Sequence, residues 1–461
     1  MGESEFLIKG LMNMKKLFLM MVTALFLFSV PAKAQLNVSI SGATQAPIPV
    51  AFPPIITDNH GFGAFLGFSY ANKVRDVVLA DLERSGLFRI INERSYIQKF
   101  NSIDDKPIFG DWSVINAQVL VQSVIVEENG EGLELRFKLW DIVSQKELMY
   151  DQLFVPNKDH WRRLAHSFAD AIYERLTGDK GYFNTVIAYI SESGPASKRV
   201  KRLALMDQDG EGHQFLTSGA NLVLTPRFSP DMRYIAYLSF INNKPRVYMY
   251  NLATQQTEIL GNFPGMTFAP AFSPDSRYML MSFAQNGVTD IYEMDLTTKQ
   301  TKKLTSGPSI DTSPNYSPDG EKIVFNSDRG GNQQLYVMNR DGTGVERISF
   351  RQGSRYATPV WSPRGDYIAF TRMEGRNFYI GVMYPDGTGE RTLASGWLVE
   401  GPTWSPNGRV LMFYRQNKGT ATTNAPVQLY SVDITGQNER LVLTPGDGSD
   451  PAWSPLLSSD R

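Results

Sequence analysis

The chain has 461 residues, and its 42% hydrophobic and 20% charged residues are ordinary for a globular protein, which excludes a largely disordered chain. The 46 basic and 47 acidic residues give a formal net charge of -1, so no excess of positive charge favours nucleic acid or an anionic membrane. Cysteine is absent, which excludes disulfides, thiolate catalysis and cysteine-bound metal, and the length predicts about two to three domains.

The N-terminus has the pattern of an export signal. A pair of lysines precedes an uncharged apolar stretch at residues 17–30, and the small residues of Pro31–Ala34 follow. The stretch is shorter than the ~20 residues with which a helix crosses a bilayer, which disfavours the alternative of a membrane anchor. We therefore predict a cleaved signal peptide over residues 1–34, with Met1–Asn13 an over-long start, and an exported, soluble protein that does not span the membrane.

Residues 47–181 predict a small α/β domain without internal repeats. Apolar residues recur on one face of a predicted helix over residues 70–84, and a second amphipathic helix is predicted over residues 159–176. Between them, three alternating runs predict strands joined by short polar turns. These runs are Ala117–Glu127, Leu133–Asp141 and Glu147–Val155. We expect the second helix to pack on this sheet.

The second half of the chain contains a motif that occurs six times. The phrase Pro-x-aromatic-Ser-Pro recurs with its serines 44, 44, 45, 43 and 49 residues apart. These serines are Ser229, Ser273, Ser317, Ser362, Ser405 and Ser454. Further short strands accompany each copy, and four strands in units of about 40–50 residues predict a six-bladed β-propeller over residues 182–461.

The phase of the repeat predicts how the ring closes. The first unit lacks the motif strand, whereas the chain ends just after the sixth copy. We therefore expect the C-terminal strand around Trp453 to complete the first blade beside Val186–Ile190, which removes the open sheet edges. The Ser-Pro-Asp part of the motif fits a tight turn between the first two strands of a blade, which we favour over a catalytic serine.

Other candidate chemical sites have simpler interpretations. His160 and His166 lie on different faces of the second helix with no further ligand at metal spacing, so we interpret them as satisfied or exposed side chains. Residues 207–212 resemble a calcium loop, but Ser218 occupies the place of the final glutamate and the flanks are strands, which favours a hairpin turn. No Gly-x-Ser-x-Gly elbow occurs and no histidine follows His213, so we predict no catalytic site, metal or cofactor.

The connections between the predicted blades differ from one another, unlike the turns. Each connection runs from an outer strand to the next inner strand, so together they surround one mouth of the central channel. They are Ser218–Thr225, Gly261–Ala269, Ser306–Ser313, Phe350–Thr358, Ser395–Gly401 and Pro445–Asp450. Their apolar and aromatic residues suit a protein partner better than a small polar ligand, and the alternative is that several cap the core between blades.

Two stretches carry a resemblance to a known family. The sequence Ala-His-Ser-Phe-Ala-Asp-Ala-Ile-Tyr-Glu-Arg-Leu-Thr-Gly at residues 165–178 leads into Gly181–Phe183 and the propeller, and Asp-Leu-Glu-Arg-Ser-Gly-Leu-Phe stands upstream at residues 81–88. Over its whole mature length the chain resembles the TolB family, the periplasmic component of the Tol-Pal system of Gram-negative bacteria. The resemblance implies a monomeric, non-enzymatic adaptor in the periplasm that supports outer-membrane constriction at cell division and envelope integrity.

The resemblance also implies partners and the residues that bind them. The lipoprotein Pal is expected at the propeller mouth, the inner-membrane protein TolA at the mature N-terminal segment 35–46, and other Tol proteins through these two. The expected Pal-binding residues are Met266, Thr267, Ala269, Thr312, Tyr356 and Glu400. Met266 stands where the best-known members have a histidine. The expected TolA-binding residues Leu36, Val38 and Ile40 alternate in a pattern suited to pairing as a strand.

Two other functions are compatible with an exported propeller. A small ligand or calcium could bind near the channel acids Asp311, Glu400 and Asp450. A propeller can also gate a hydrolase, but that arrangement needs a nucleophile elbow and ~200 further residues. Because six residues follow Pro455, the hydrolase alternative is the weaker one.

Overall fold

A computed structural model describes residues 46–57, 64–128, 131–241, 244–261, 266–419 and 425–457 of the chain. The predicted signal peptide and the segment with Leu36, Val38 and Ile40 lie outside these described residues. Within them, no helix combines the length and the apolar character needed to cross a membrane.

The N-terminal region is an α/β fold. Its strands are β1 (Ile48–Ala51), β2 (Ile56–Thr57), β3 (Phe88–Ile90), β4 (Val119–Glu128), β5 (Gly132–Asp141) and β6 (Lys146–Val155). Its helices are α1 (Ala64–Arg84), α2 (Phe109–Ser113) and α3 (Trp161–Thr177), with 3-10 turns at Glu93–Ser95 and Lys158–His160. The strands form one sheet in the order β3, β1, β4, β5, β6, and β2 pairs with the same edge of β4 as β1.

The sequence predicted half of this sheet. Strands β4, β5 and β6 form the expected antiparallel meander. The prediction of three strands was incomplete, because β1 pairs in parallel with both β3 and β4, and β2 pairs in parallel with β4. These three extra strands have four residues or fewer, which is too short for an alternating pattern to be recognised.

The second long helix packs on the sheet as predicted. Phe168 of α3 is fully buried, and its ring centroid lies 4.4 Å from that of Phe137 on β5 and 5.6 Å from that of Phe52. Val74 and Leu82 of α1 are also fully buried. The apolar faces read from the sequence therefore form the core of this region.

The second region is a six-bladed β-propeller, as predicted. From inner to outer strand, blade 1 is β30 (Asp447–Trp453), β7 (Val186–Ser193), β8 (Val200–Asp207) and β9 (Gln214–Phe215), with a 3-10 turn at Ala196–Lys198. Blade 2 is β10 (Val223–Phe228), β11 (Tyr234–Ile241), β12 (Lys244–Asn251) and β13 (Thr257–Ile259), and blade 3 is β14 (Met266–Phe272), β15 (Tyr278–Gln285), β16 (Val288–Asp295) and β17 (Thr301–Lys303). Blade 4 is β18 (Asp311–Tyr316), β19 (Lys322–Ser327), β20 (Gln334–Asn339) and β21 (Glu346–Arg347). Blade 5 is β22 (Ser354–Trp361), β23 (Ile368–Glu374), β24 (Asn377–Met383) and β25 (Arg391–Gly396), and blade 6 is β26 (Leu398–Trp404), β27 (Val410–Gln416), β28 (Val427–Asp433) and β29 (Arg440–Val442).

The C-terminal strand closes the ring. Strand β30 pairs antiparallel with β7, and each inner strand contacts the inner strands of both neighbouring blades. The indole Nε1 of Trp453 donates a hydrogen bond to Thr185 Oγ1 at 2.8 Å, and the backbone N–H of Val186 donates to Ser454 Oγ at 3.0 Å. The predicted closure is confirmed.

The Ser-Pro-Asp sequences are turns. In blade 2, Ser229 Oγ donates to Asp231 Oδ1 at 2.6 Å and accepts from the backbone N–H of Tyr234 at 2.9 Å. Because the Ser229 hydroxyl is buried and both donates and accepts a hydrogen bond, it stabilises the turn instead of serving as a nucleophile.

These turns lie at the end of the propeller where the inner strands finish, which we call the turn end. The opposite end, where the inner strands begin, is the crossover end.

Contacts between the α/β region and the propeller lie at the turn end. Asp81 of α1 and His166 of α3 are buried, and His166 Nδ1 lies 2.6 Å from Asp81 Oδ2. Gln208, in the turn between β8 and β9, donates to Asp81 Oδ1 at 2.8 Å. On blade 6, Asn438 Nδ2 donates to the backbone oxygen of Arg84 at 2.8 Å.

An arginine extends this network. The guanidinium of Arg162 donates to Asp207 Oδ2 at 2.7 Å and to Asp209 Oδ2 at 2.6 Å, and its Nη2 lies 3.4 Å from His166 Nε2. Burial alone lowers the pKa of His166, but the charges of Asp81 and Asp209 and the hydrogen bonds to Asp81 and Asp207 outweigh it and raise this pKa to about 10. His166 is therefore a satisfied, charged side chain, in agreement with the sequence interpretation.

Removing the closing strand should unfold the propeller. Deletion of residues 452–461 removes Ala452 and Trp453 from β30 and leaves β7 unpaired at Ala188 and Ile187, so we expect loss of the cooperative thermal transition, or aggregation. A chain that ends at Leu457 retains the contacts of Trp453 and Ser454 and serves as the control. Calorimetric melting of both proteins provides the measurement, and identical transitions would show that the ring does not depend on Ala452 and Trp453 of β30.

Replacing His166 should destabilise the protein in a pH-dependent way. Since the folded pKa of about 10 exceeds the ordinary value of 6.5, the stabilisation is fully present below pH 6.5 and is lost as the pH rises toward 10. His166→Gln leaves Arg84, whose Nη1 lies 3.1 Å from Asp81 Oδ1, as the remaining cation beside the buried Asp81, so we expect a cost of about 1–3 kcal/mol at pH 6 and less at pH 10. Urea unfolding at both pH values measures this difference.

The exposed His160→Gln variant is the matched control, with an expected change below about 0.5 kcal/mol. A His166 variant whose loss of stability is the same at pH 6 and pH 10 would contradict the assigned charge state.

Candidate partner-binding mouth of the propeller

Every inner strand contains a β-bulge at the same place. The register with the second strand shifts around the residue that precedes the motif proline in all six blades. These six bulge residues have φ between 46° and 65°: Thr225, Ala269, Ser313, Thr358, Gly401 and Asp450. Five of them are not glycine, and such residues enter this left-handed region at a cost. Because bulges and strained backbone concentrate at functional sites, this ring of six bulge residues is a candidate functional site.

Side-chain exposure follows the position relative to the bulge. In the five blades where the burial of this position is described, the residue two places before the bulge is buried, as Val223, Asp311 and Val399 illustrate. The residue one place before the bulge is half-buried in five blades, and the bulge residue is half-buried in all six. The inner strands therefore present two positions each, at the crossover end, to an approaching partner.

Four of the six expected Pal-binding residues have described side chains. Ala269 is a half-buried bulge residue with φ 52°, and Thr312 and Glu400 are the half-buried residues just before the bulge in blades 4 and 6. Met266 and Thr267 pair through their backbones with Ala284 and Phe283 on β15, and their side chains lie outside the described part.

Two sequence expectations are corrected. Ala269 and Thr312 lie within β14 and β18, whereas the sequence placed them in loops, because the bulge before the proline interrupts the alternation that marks a strand. Tyr356 was expected at the partner surface but has no exposed surface.

Tyr356 belongs to the core between blades 4 and 5. It occupies the buried position two places before the bulge, its ring centroid lies 5.2 Å from that of Phe370, and its hydroxyl donates to Glu390 Oε2 at 2.7 Å. Its pKa is raised, mainly by burial and then by the bond to the carboxylate. It positions the start of β22 and is not available for direct contact.

Two acidic groups lie together near the channel. Burial raises the pKa of Glu400, and the charge of Asp450 raises it further, although the hydroxyl of Tyr414 donates to Glu400 Oε2 at 2.7 Å and opposes the shift. Burial also raises the pKa of Asp450, against the lowering effect of Lys201. Asp311, the third acid of the calcium alternative, pairs with Arg329 at 2.8 Å. The raised pKa values of Glu400 and Asp450 mean that burial disfavours the charged form of both carboxyl groups.

Apolar side chains stand exposed on the connections around this end. Leu222 is 40% exposed, Ile310 43%, Phe350 66% and Trp397 46%. All four lie on connections whose apolar and aromatic residues the sequence predicted to suit a protein partner. Large apolar side chains on three successive connections, at Ile310, Phe350 and Trp397, and on a separate one at Leu222 give the crossover end the character of a protein-binding surface.

One cluster at the turn end has the donor types of a metal site. His166, Asp207 and Asp209 offer one atom each within 4.8 Å of one another. Both carboxylates already accept hydrogen bonds from Arg162, so a cation there would have to displace the guanidinium. The sequence did not reveal this network, because its members come from distant segments with no local motif.

Comparisons with known proteins agree over nearly the whole chain. Residues 36–148 match the family described as the TolB amino-terminal domain, and residues 173–457 match the TolB beta propeller domain. The Tol-Pal system protein TolB of Paramagnetospirillum magneticum is 59% identical over 429 residues, which are 93% of this chain and 94% of the relative. The crystal structure of TolB from Acinetobacter baumannii superposes with a TM-score of 0.76 at 30% identity, covering 91% of this chain and 99% of that chain. The chain therefore belongs to the TolB family.

Proposed function

We propose that the protein is a non-enzymatic periplasmic adaptor of the Tol-Pal system. It binds the lipoprotein Pal at the crossover end of the propeller and TolA through the mature N-terminal segment, and it supports outer-membrane constriction and envelope integrity. The family assignment and the 59% identical relative, a Tol-Pal system protein TolB, support membership of the Tol-Pal system. The ring of strained bulge residues beside exposed apolar side chains is the observation that carries the binding site.

The two ends of the propeller favour different roles. At the turn end, Asp81, Arg84 and His166 of the α/β region contact blades 1 and 6. At the crossover end, the connections differ in sequence and expose Phe350 and Trp397. A partner of the size of a protein domain therefore finds apolar anchors and half-buried polar groups at the crossover end.

An adaptor rather than an enzyme is supported by how the candidate nucleophiles are used. The motif serines hold turns, as Ser229 does through Asp231 and Tyr234. The buried His166 is held by Asp81 and lies in the network at the turn end, away from the bulge ring. The periplasmic location rests on the export signal read at residues 1–34 and on the family.

Charge at the centre of the mouth should weaken Pal binding without unfolding the ring. Ala269→Asp and Thr312→Glu introduce residues that occur at the equivalent positions of other blades, Asp450 and Glu400, so the backbone accommodates them at a cost below about 0.5 kcal/mol. An unpaired charge at a desolvated contact costs on the order of 2–4 kcal/mol, or roughly 30- to 1000-fold in affinity. Titration calorimetry with the soluble domain of Pal, together with melting curves, measures both effects.

The control for these variants is Thr254→Asp, which adds the same charge on an exposed turn between β12 and β13 at the turn end. It should bind Pal as the wild type does. Unchanged binding by the 269 and 312 variants would place the Pal site elsewhere.

The N-terminal segment should bind TolA through one face of a strand. Val38→Asp places a charge on the apolar face formed with Leu36 and Ile40, so we expect TolA to be lost from a pull-down while Pal is retained. Ser39→Asp adds the same charge on the opposite face and should retain TolA. Equal capture of TolA by both variants would exclude recognition of this apolar face.

A further inference from the structure

Charged side chains at the crossover end are distributed unevenly around the ring. The turns between the second and third strands lie at this end, because Asp447, Val223, Ser354 and Leu398 at the starts of inner strands pair with residues just before those turns. Lys198, Lys244, Arg376 and Lys418 lie on or beside these turns, and Arg355 lies near the start of β22. These five exposed cations, which we call the basic arc, belong to blades 1, 2, 5 and 6, which are consecutive around the ring.

The basic arc is not neutralised within the protein. None of its five side chains has an ion pair or hydrogen bond with another described residue. The nearby carboxylates are already engaged, since Glu192 pairs with Lys201 at 2.8 Å and with Arg199 at 3.0 Å, and Glu374 pairs with Arg351 at 3.1 Å. At the rim, these free cations leave a positive potential along this side of the mouth, and the buried acids Glu400 and Asp450 lie further in, on the inner strands of blades 6 and 1.

Blades 3 and 4 carry a different pattern at the same end. Arg329 pairs there with the buried Asp311 at 2.8 Å, and Lys303 pairs with Asp290 at 2.7 Å. These are the blades that carry Ala269 and Thr312. The rim of blades 3 and 4 thus carries paired charges, whereas the rim of blades 5, 6, 1 and 2 carries unpaired positive charge outside the inner-strand acids Glu400 and Asp450.

We infer that the partner bound at this mouth has an acidic flank beside an uncharged centre, and that the basic arc steers and orients it. This inference rests on the proposed function of the mouth. Charges at the rim of an interface act mainly on the association rate and its salt dependence, whereas contacts at the centre act mainly on dissociation. The basic arc therefore determines in which of the rotational positions around the ring the partner docks, a choice that a nearly sixfold ring leaves open.

The test compares two triple variants with the same change in net charge. Lys198→Glu, Lys244→Glu and Lys418→Glu reverse three charges of the basic arc. Lys299→Glu, Lys302→Glu and Lys322→Glu reverse three exposed lysines on or near the turn end of blades 3 and 4. Stopped-flow association with the soluble domain of Pal is measured from low to high ionic strength, with Ala269→Asp as the reference for the centre.

We expect the arc variant to associate about tenfold or more slowly than the wild type at low salt, with the difference disappearing as salt screens the charges. The association rate of the turn-end variant should be much closer to that of the wild type. Association of the arc variant at the wild-type rate, or faster, would contradict the inference that the partner has an acidic flank. If Ala269→Asp then still binds Pal weakly, the proposed Pal site is retained and only the role of the basic arc is excluded. If Ala269→Asp binds Pal normally, the proposed Pal site and the role of the basic arc are both excluded.

Discussion

The pairing of β30 with β7 is the constraint on which the propeller depends. It joins Val186 to Ser454, which are 268 residues apart, so the ring closes only when the whole propeller sequence is present. The same place ties the propeller to the preceding region, because the ring of Trp453 lies 5.9 Å from that of Tyr182 and its indole reaches Thr185. Closure removes the sheet edges and fixes the inner strands in a ring, and the geometry of the mouth follows from that ring.

The two ends of the ring have separate tasks because their chemistry differs. At the turn end, repeated serine and aspartate side chains satisfy the backbone, and a buried charge network with His166 and Arg162 connects to the α/β region. At the crossover end, the bulges keep six backbone positions in the left-handed region and half-expose the side chains there. The repeated strands of the ring thus position connections that differ in sequence, and these differences give a repeat protein its specificity for a partner.

The repeat made the fold predictable, since a motif at 43- to 49-residue spacing with four strands per unit has one architectural solution. The short parallel strands β1, β2 and β3 were not predicted, because their partners are distant in sequence and their hydrophobic patterns are too short.

The candidate site was predictable as a set of segments but not as individual side chains. Tyr356 and Glu400 both fall on connections predicted from the sequence, but Tyr356 lies two places before its bulge residue and is buried, whereas Glu400 lies one place before and is half-buried. The partners of His166 come from separate segments of the chain, so no local sequence pattern predicts them.

Hydrogen exchange on the full-length protein, with and without the soluble domain of Pal, tests whether Pal binds at the crossover end. We expect slower exchange on binding in peptides that cover the starts of the inner strands, including residues 311–313 and 398–401, and the connections before them. Peptides over the Ser-Pro-Asp turns should exchange at an unchanged rate. Protection confined to the turn end or to the α/β region would contradict the assignment of the crossover end as the Pal-binding mouth.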